Sequence, residues 1–270
     1  MTVLDDILAA KRDEVTLLHQ PATRRAIERA ALAAPTPRDF ASALRRADGA
    51  LAVIAELKRR SPSKGDLAPD LDPAVTAKAY EAGGAAALSV LTDRPFFGGS
   101  IDDLRAAREA TQLPALRKDF TIAEIQLYEA RAVGADAVLL IVAAFRDDAY
   151  LRDLHDLARD LGLAVLVETH DDAEVERALD LGASIIGVNN RSLQTFAEDV
   201  EVAVALADRL PPEVIAVAES AIRTPEDAQR CASVGFDAVL VGEALVRAAD
   251  PTSLVRTFAS NQVTTRGAAT

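Results

Sequence analysis

The chain has 270 residues, half of them apolar, and a formal net charge of −12 with an isoelectric point near 4.8. This excess of carboxylates argues against a general nucleic-acid-binding surface and against an anionic membrane as a partner. Any anionic ligand must therefore be held by a local basic site.

The first residues and the single cysteine predict the cellular compartment. The segment MTVLDDILAAKRDEV lacks the basic start and the continuous apolar stretch of a secretory signal peptide. No stretch approaches the roughly 18 uncharged apolar residues of a membrane span. Because Cys231 is the one cysteine, an intramolecular disulfide and a cysteine metal cluster are both excluded. These features predict a cytoplasmic protein, and no pattern identifies a protein partner.

The N-terminal segment is predicted to be helical. Apolar residues recur at Leu4, Ile7 and Leu8 with roughly helical spacing in an otherwise polar stretch. This stretch is too weakly apolar for a separate domain. We therefore predict a helical extension over residues 1–50 that packs on the rest of the chain.

From residue 51 onward, short and almost continuously apolar runs alternate with charged helical segments. Such runs are typical of parallel strands that are covered on both faces, and the segments between them are long enough for helical crossovers. The eight runs span residues 51–57, 86–91, 114–120, 137–145, 163–170, 184–190, 213–220 and 237–245.

A weak internal repeat supports this alternation. Before four of the runs the chain reads EAGGAAAL, AVGADAVL, DLGASIIG and SVGFDAVL, with glycine where a helix should end. Eight β/α units in about 220 residues favour an α/β fold of the closed (β/α)8 type over residues 51–262, followed by a polar tail over 263–270. A doubly wound open sheet is the alternative, because hydrophobic pattern alone does not reveal closure.

Polar side chains occupy the C-terminal ends of five runs, all on one parity of the strand. In a barrel this end carries the active site. Any one of these groups could simply face solvent, but lysines and glutamates that converge in one mouth should perturb one another's pKa values, as acid–base catalysis requires. The set comprises Glu56, Lys58, Lys118, Glu168, Asn189, Arg191 and Glu219.

A phosphate site is predicted after the last two runs. Run seven ends at Ser220, which Ala221 follows, and Gly242 and Glu243 lie in run eight; barrels commonly bind phosphate at these positions with backbone N–H groups and a helix N-terminus. The carboxylate of Glu243 must then point away from the anion. An ordinary turn at Gly242 is the alternative.

Two further features could contact a ligand. The loop at residues 59–65 carries the hydroxyl groups of Ser61 and Ser63 among basic residues, which suits an anion, although a solvated basic loop would have the same composition. Phe120, after run three, could form a wall against an aromatic ligand, although phenylalanines near strand ends more often belong to the core.

Metal and nucleotide chemistry lack support in the sequence. His19, His155 and His170 are too widely spaced for a known metal motif. No dinucleotide fingerprint, P-loop or serine nucleophile elbow occurs. We therefore expect neither a metal nor a cofactor.

Seven segments resemble, in the same order, the signature segments of the indole-3-glycerol phosphate synthase family. The ExKxxSPS pattern is the most specific, and its combination with RKDF and NNR argues against another barrel family. The segments are VIAELKRRSPSKGDL (53–67), SVLTDRPFFGGS (89–100), LRKDF (116–120), LVETH (166–170), IIGVNNRSL (185–193), VAES (217–220) and LVGEALVR (240–247).

The resemblance implies a cofactor-independent carboxy-lyase of tryptophan biosynthesis. The phosphorylated small-molecule substrate would be 1-(2-carboxyphenylamino)-1-deoxyribulose 5-phosphate, which undergoes ring closure, decarboxylation and dehydration to indole-3-glycerol phosphate. The alternatives are another phosphate-binding barrel enzyme, such as phosphoribosylanthranilate isomerase, and a non-catalytic barrel that binds a phosphorylated ligand.

The resemblance also implies roles for individual residues. We hypothesise that Lys118 is the general acid, that Lys58 is a second cation, that Glu168 is the general base and that Glu56 holds a lysine or a substrate hydroxyl group. Substrate contacts are expected from Asn189, Arg191, Glu219, Ser220, Ser61, Ser63 and Phe120. Phosphate contacts are expected from Ser220, Ala221, Gly242 and Glu243.

One position departs from the family pattern. Ala221 stands where a glycine is expected in a Glu-Ser-Gly-Ile segment. Its methyl group is costly if the backbone there needs a positive φ or approaches the phosphate closely.

Overall fold

Eight strands form the central sheet of the computed structural model, which describes residues 2–191 and 198–266. They are β1 (Ala52–Leu57), β2 (Ala87–Leu91), β3 (Ala115–Lys118), β4 (Ala137–Ile141), β5 (Ala164–Thr169), β6 (Ile185–Asn189), β7 (Ile215–Glu219) and β8 (Ala238–Val241). Each strand pairs in parallel with its sequence neighbours, and β1 pairs with β8, so the sheet is a closed barrel. The predicted (β/α)8 fold is confirmed, and the open-sheet alternative is wrong.

Helices surround the barrel and follow its strands. They are α1 (Val3–Leu18), α2 (Pro21–Ala33), α3 (Phe40–Leu44), α4 (Pro73–Gly83), α5 (Arg94–Phe97), α6 (Ile101–Glu109), α7 (Glu124–Ala132), α8 (Asp148–Asp160), α9 (Asp172–Asp180), α10 (Glu201–Leu206), α11 (Pro225–Ser233), α12 (Glu243–Arg247) and α13 (Pro251–Ala259). Within the described ranges, no helix combines the length and the apolar character needed to cross a bilayer. The repeated glycines that end four of the helices have φ values of 80–93° at Gly84, Gly134, Gly182 and Gly235.

Alternation along the strands sorts the core into two layers. On β1, Ile54 faces the barrel interior, whereas Val53 and Ala55 face the surrounding helices. Glu56 is the next inward-facing residue of β1 after Ile54. It lies beyond the apolar interior layer and lines the cavity at the mouth. The parity that buries the apolar residues therefore also directs the polar strand ends into the barrel mouth.

The N-terminal helices contact both ends of the barrel. Phe40 and Leu44 of α3 join the interior layer and close the end at which the strands begin. Helix α2 packs along α7, where Arg24 lies 2.7 Å from Glu124. Helix α1 lies at the opposite end, which is the mouth of the barrel. The N-terminal segment therefore runs from the mouth to the closed end.

A buried lysine fastens α1 to the mouth. The side chain of Lys11 is 1% exposed, and its Nζ lies 2.8 Å from Asp119 and 3.1 Å from Asp93. Asp119 directly follows β3 and is also paired with Arg117. Burial disfavours the ammonium, but the attraction of Asp119 and Asp93 outweighs it and raises the pKa of Lys11. The side chain of Lys11 is therefore buried as a charged ammonium group.

Several predicted strands are shorter than their apolar runs. The run at 137–145 leaves the sheet after Ile141 and continues as a single 3₁₀ turn, and the run at 237–245 changes into α12 after residue 242. Apolar residues are buried on both sides of such a junction, so composition alone does not locate it. A short hairpin that pairs Arg60–Ser61 with Gly65–Asp66 was not predicted.

The start of the predicted tail lies against the end of the barrel at which the strands begin. The backbone N–H of Val263 donates to the carbonyl of Gly49 at 2.9 Å, and the guanidinium of Arg266 lies 3.0 Å from Asp237. Residues 267–270 of that tail lie outside the described residues.

Candidate active site

A cavity that is open to solvent lies at the C-terminal ends of the strands, and the space between its walls, open solvent included, is about 1100 Å³. All seven strand-end residues singled out in the sequence line it: Glu56, Lys58, Lys118, Glu168, Asn189, Arg191 and Glu219. The barrel register sets their spacing, because it pairs Glu168 with Gly187 and Asn189 with Glu219 on neighbouring strands. Five strands thus contribute ionisable or amide groups to one site.

Lys118 lies at the centre of the charged groups. Its Nζ is 2.8 Å from Glu168 Oε2 and 2.6 Å from Glu219 Oε2. Burial disfavours the ammonium, but the attraction of Glu168, Glu219 and then Glu56 outweighs it and raises the pKa of Lys118. The lysine is therefore protonated at neutral pH.

The two carboxylates beside Lys118 differ in their protonation. Burial raises the pKa of Glu219 to about 7, and the negative charge of Glu168 adds to this effect while Lys118 opposes it. Burial also acts on Glu168, but Lys118 and His170 outweigh it and hold the pKa of Glu168 well below its ordinary range. One cation shared by two carboxylates leaves one negative charge in excess, so the cluster takes up a proton near neutral pH, mainly on Glu219.

A second ion pair lies beside this cluster. Lys58 Nζ is 2.7 Å from Glu56 Oε1, and the hydroxyl of Ser89 donates to Glu56 Oε2 at 3.3 Å. Gly242 backs this pair, and a methyl group at Gly242 would overlap Glu56 Oε1. The glycine at this position therefore makes room for the ion pair.

Gly187 makes room for Glu219 in the same way. A methyl group at Gly187 would overlap Glu219 Oε1 and lie 3.2 Å from a methyl carbon of Leu166. We expect Gly187→Ala to displace the Glu219 carboxylate from Lys118. The kcat of a reaction at this site should then fall about tenfold, because small misplacements of reacting groups slow catalysis. Steady-state kinetics and circular dichroism would test this, and wild-type kcat in a folded variant would contradict it.

The backbone after β7 turns through two successive residues with positive φ. Ser220 and Ala221 have φ values of 61° and 60°, which is the left-handed region. Within residues 2–191 and 198–266, no acceptor pairs with the backbone N–H groups of Ala221 and Ile222. Ser220, Ala221, Gly242 and Glu243 all line the cavity, at one edge of the mouth.

The positive φ at Ala221 makes a stability prediction possible. A left-handed conformation costs a non-glycine residue about 1–2 kcal/mol, whereas glycine costs 0.4–1 kcal/mol through the entropy of the unfolded chain. We expect Ala221→Gly to raise the free energy of unfolding by about 0.5–1 kcal/mol, or Tm by roughly 1–3 °C. Calorimetry measures this change, and a lower Tm would show that Ala221 is not strained.

Apolar side chains form the outer wall of the cavity. The rings of Phe97 and Phe120 lie with their centroids 6.1 Å apart. Val3, Leu4 and Ile7 of α1 cover the mouth from the side of the N-terminal segment. These α1 residues were not predicted to belong to the site; their signal in the sequence was an apolar stripe on the segment that precedes the barrel.

Two predicted contact residues lie outside the cavity lining. Ser63 is exposed and its hydroxyl accepts a hydrogen bond from Arg191 at 2.9 Å. Ser61 is buried in the hairpin, where its hydroxyl accepts a hydrogen bond from the backbone N–H of Lys64.

Glu198 at the rim of the cavity was not predicted. It pairs with both Arg191 and Arg223. Among the described residues, no group of three or more His, Cys, Asp or Glu is placed to hold a metal ion.

Comparisons with known proteins identify one family that the chain resembles along nearly its whole length. The sequence model described as indole-3-glycerol phosphate synthase matches residues 4–258. A protein of that name from a Nocardioides species is 54% identical over 257 residues, which cover 95% of this chain and 97% of that protein. Another, from Chloroherpeton thalassium, is 50% identical over 248 residues, which cover 91% of this chain and 95% of that protein.

A solved structure shows the fold at lower identity. The 3-hexulose-6-phosphate synthase from Salmonella typhimurium matches with a TM-score of 0.61 at 18% identity, over 77% of this chain and 97% of that chain. Likeness at this identity concerns the barrel alone. The sequence relatives, by contrast, share about half of their residues with this chain along nearly its whole length, and the chain therefore belongs to the indole-3-glycerol phosphate synthase family.

Proposed function

We propose that the chain converts 1-(2-carboxyphenylamino)-1-deoxyribulose 5-phosphate into indole-3-glycerol phosphate, carbon dioxide and water. The proposal depends mainly on one observation: Lys118 is held as a cation between Glu168 and Glu219, beneath an apolar wall. Family membership supports the same reaction. The activity would belong to tryptophan biosynthesis in the cytoplasm.

The reaction requires three kinds of proton and charge control. The ring carbon that bears the carboxylate attacks the ribulose C2 carbonyl, and the carbonyl oxygen gains negative charge and must receive a proton. Loss of carbon dioxide then returns the electron pair to the ring. Finally the C2 hydroxyl leaves as water while C1 loses a proton, which completes the indole.

Lys118 suits the role of acid in ring closure. It is protonated at neutral pH and lies largely buried at the centre of the cavity, where a cation stabilises a developing alkoxide more strongly than it would in bulk water. As its proton moves toward the substrate, Glu168 and Glu219 lose the cation that they share. Both carboxylates then become stronger bases.

Glu168 is our proposed base for the dehydration step. It is ionised beside Lys118 and gains basicity once Lys118 turns to the substrate. Lys58, paired with Glu56, lies beside the same space and would assist departure of the hydroxyl or hold the substrate carboxylate. Asn189, which donates to Glu168 Oε1 at 2.9 Å, would orient the base.

The remaining contacts would position the two ends of the substrate. Backbone N–H groups around Ser220, Ala221, Gly242 and Glu243 would hold the phosphate, and Arg191 would add positive charge at the rim. Phe120 would lie against the aromatic ring. Ser61 and Ser63, which lie outside the cavity lining, would contact substrate only after a movement of their loop.

We also propose a division of the chain into three parts. Residues 1–50 would serve as an extension of the barrel because their helices close one end and cover the other, residues 51–262 would form the catalytic barrel, and 263–270 a tail. Limited proteolysis tests this division: a protected extension supports it, and rapid release of a stable fragment that starts near residue 50 would contradict it.

The decisive experiment mixes the purified protein with the carboxyphenylamino-deoxyribulose phosphate, without added metal or nucleotide, and follows indole fluorescence. Catalytic formation of the indole product is expected. Saturable binding without product would instead favour a regulatory barrel. Turnover of phosphoribosylanthranilate in place of this substrate would favour the isomerase alternative.

A further inference from the structure

His170 lies between two carboxylates directly behind the proposed base. It follows β5, and its side chain is 13% exposed. Its Nδ1 lies 2.9 Å from Oε2 of Glu174, in the first turn of α9, and the same oxygen accepts the backbone N–H of His170 at 2.8 Å. On the other side, Nε2 lies 3.4 Å from Glu168 Oε1.

These contacts fix the charge of the imidazole. A neutral ring would have to turn one lone pair toward a carboxylate, which is repulsive, whereas a protonated ring is attractive on both sides. Glu168 does not supply the missing proton, because Lys118 donates to its Oε2 and Asn189 donates to its Oε1. The contact of Nε2 with Glu168 is a charge interaction rather than a well-aligned hydrogen bond. The two carboxylates therefore require an imidazolium.

We propose that His170, anchored by Glu174, is a positioning residue that keeps Glu168 ionised and thereby places the shared proton of the Lys118 cluster on Glu219. The proposal rests on the proposed function only for its consequence on the rate. The imidazolium supplies a second positive charge to Glu168 that Glu219 does not receive. This difference favours the charged form of Glu168 over the charged form of Glu219, although both carboxylates contact the same lysine.

Other groups near the imidazole do not replace it. In the described part of the chain, the charged groups that face the ring are Glu168 from its own strand and Glu174 from α9. The neighbouring strand β6 contributes the neutral amide of Asn189, and Lys118 of β3 lies on the other side of the Glu168 carboxylate. Removing His170 therefore removes one of the two cations that act on Glu168.

The kinetic test uses His170→Gln, which keeps an N–H donor and removes the charge. Loss of the cation makes Glu168 more basic, so that it takes a larger share of the proton that the cluster binds near neutral pH, and the acid limb of kcat should move to higher pH by about one unit. The rate then falls about tenfold on the acid side and little at pH 8.5. Glu174→Gln should shift the limb in the same direction by less. An unchanged acid limb in a folded His170→Gln protein would overturn the proposal.

Matched controls separate charge from packing. His155 is the other buried histidine, in α8, and His155→Gln should leave the pH profile unchanged. Glu176 is exposed on α9, so Glu176→Gln controls for the loss of an acidic residue from that helix. A shift of equal size in either control would assign the effect to general destabilisation and overturn the specific role.

Nuclear magnetic resonance of the wild-type imidazoles tests the charge without activity or mutation of the site. The carboxylates outweigh burial and raise the pKa of His170 to about 10, whereas burial lowers the pKa of His155. The imidazole of His170 should remain protonated at pH 8. If this imidazole is instead neutral at pH 8, the proposal about His170 fails even if indole is formed. If it is charged but no indole forms, only the proposed function fails.

Discussion

Replacing Lys118 by methionine is expected to lower kcat for indole formation by about 10³-fold. General acids and oxyanion-stabilising groups each contribute about 10²–10⁴-fold, and Lys118 would supply both effects at one atom. Methionine keeps the length of the apolar stem, so the wall of the cavity persists. Single-turnover kinetics, which separate ring closure from product release, measure the effect on the step itself.

Two other lysines provide the comparison. Lys58→Met removes the cation of the neighbouring ion pair and should slow a later step more than ring closure, whereas Lys78→Met removes an exposed lysine and should change neither. Fast ring closure in Lys118→Met would contradict the role of Lys118 as the acid. Slow ring closure only in Lys58→Met would exchange the roles of the two lysines.

The same substitution should make stability depend on pH. Without Lys118, Glu219 is buried beside the charge of Glu168 with no cation to offset it, so the pKa of Glu219 rises further above that of the unfolded chain. Groups with raised pKa values destabilise the fold increasingly as pH rises through those values. Thermal unfolding at pH 6 and pH 8 should therefore show a larger loss for the variant at pH 8.

Replacing Lys11 by methionine is expected to lower the free energy of unfolding by about 3 kcal/mol, because it leaves buried charge uncompensated. In the variant, Asp119 still pairs with Arg117, but Asp93 loses the ammonium group of Lys11, which lies 3.1 Å away. Helix α1 should then separate from the mouth, which exposes the apolar wall formed by Val3, Leu4 and Ile7 and raises KM about tenfold. Calorimetry and steady-state kinetics measure the two effects.

The control for Lys11 lies on the same helix. Arg12→Met removes an exposed positive charge next to Lys11 and should change stability by less than about 0.5 kcal/mol. Equal stability of Lys11→Met and Arg12→Met would show that the ion pairs do not hold α1. A large loss of stability with unchanged KM would show that α1 is fastened there but forms no part of the substrate site.

The sequence pattern predicted the barrel and its charged mouth because both depend on local periodicity. Apolar runs locate the strands, and alternation along a run decides that Glu56 and Lys118 turn inward with Ile54 and Leu116. These relations hold within a few residues, so one sequence contains them. The resemblance to the family, rather than periodicity, raised the question of a positive φ at Ala221, and the backbone there has a φ of 60°.

The contacts of Lys11 and His170 could not be predicted, because each depends on residues brought together by the closed barrel. Lys11 continues the stripe of Leu4, Ile7 and Leu8 at helical spacing, which shows that it shares their buried side. Its partners Asp93 and Asp119 lie in two different loops. For His170 the sequence shows only a histidine after a strand; its charge follows from the carboxylates on both sides.

The path of the N-terminal segment along the barrel also has a consequence for how the chain folds as it is made. Arg24 and its partner Glu124 are 100 positions apart. At about 5–20 residues per second, a ribosome needs roughly 5–20 s to deliver that partner. During this interval α1 and α2 have left the exit tunnel while the strands that they cover are still being synthesised. Their apolar sides are then accessible to chaperones, and the mouth of the barrel receives its outer wall only after the first three strands of the sheet exist.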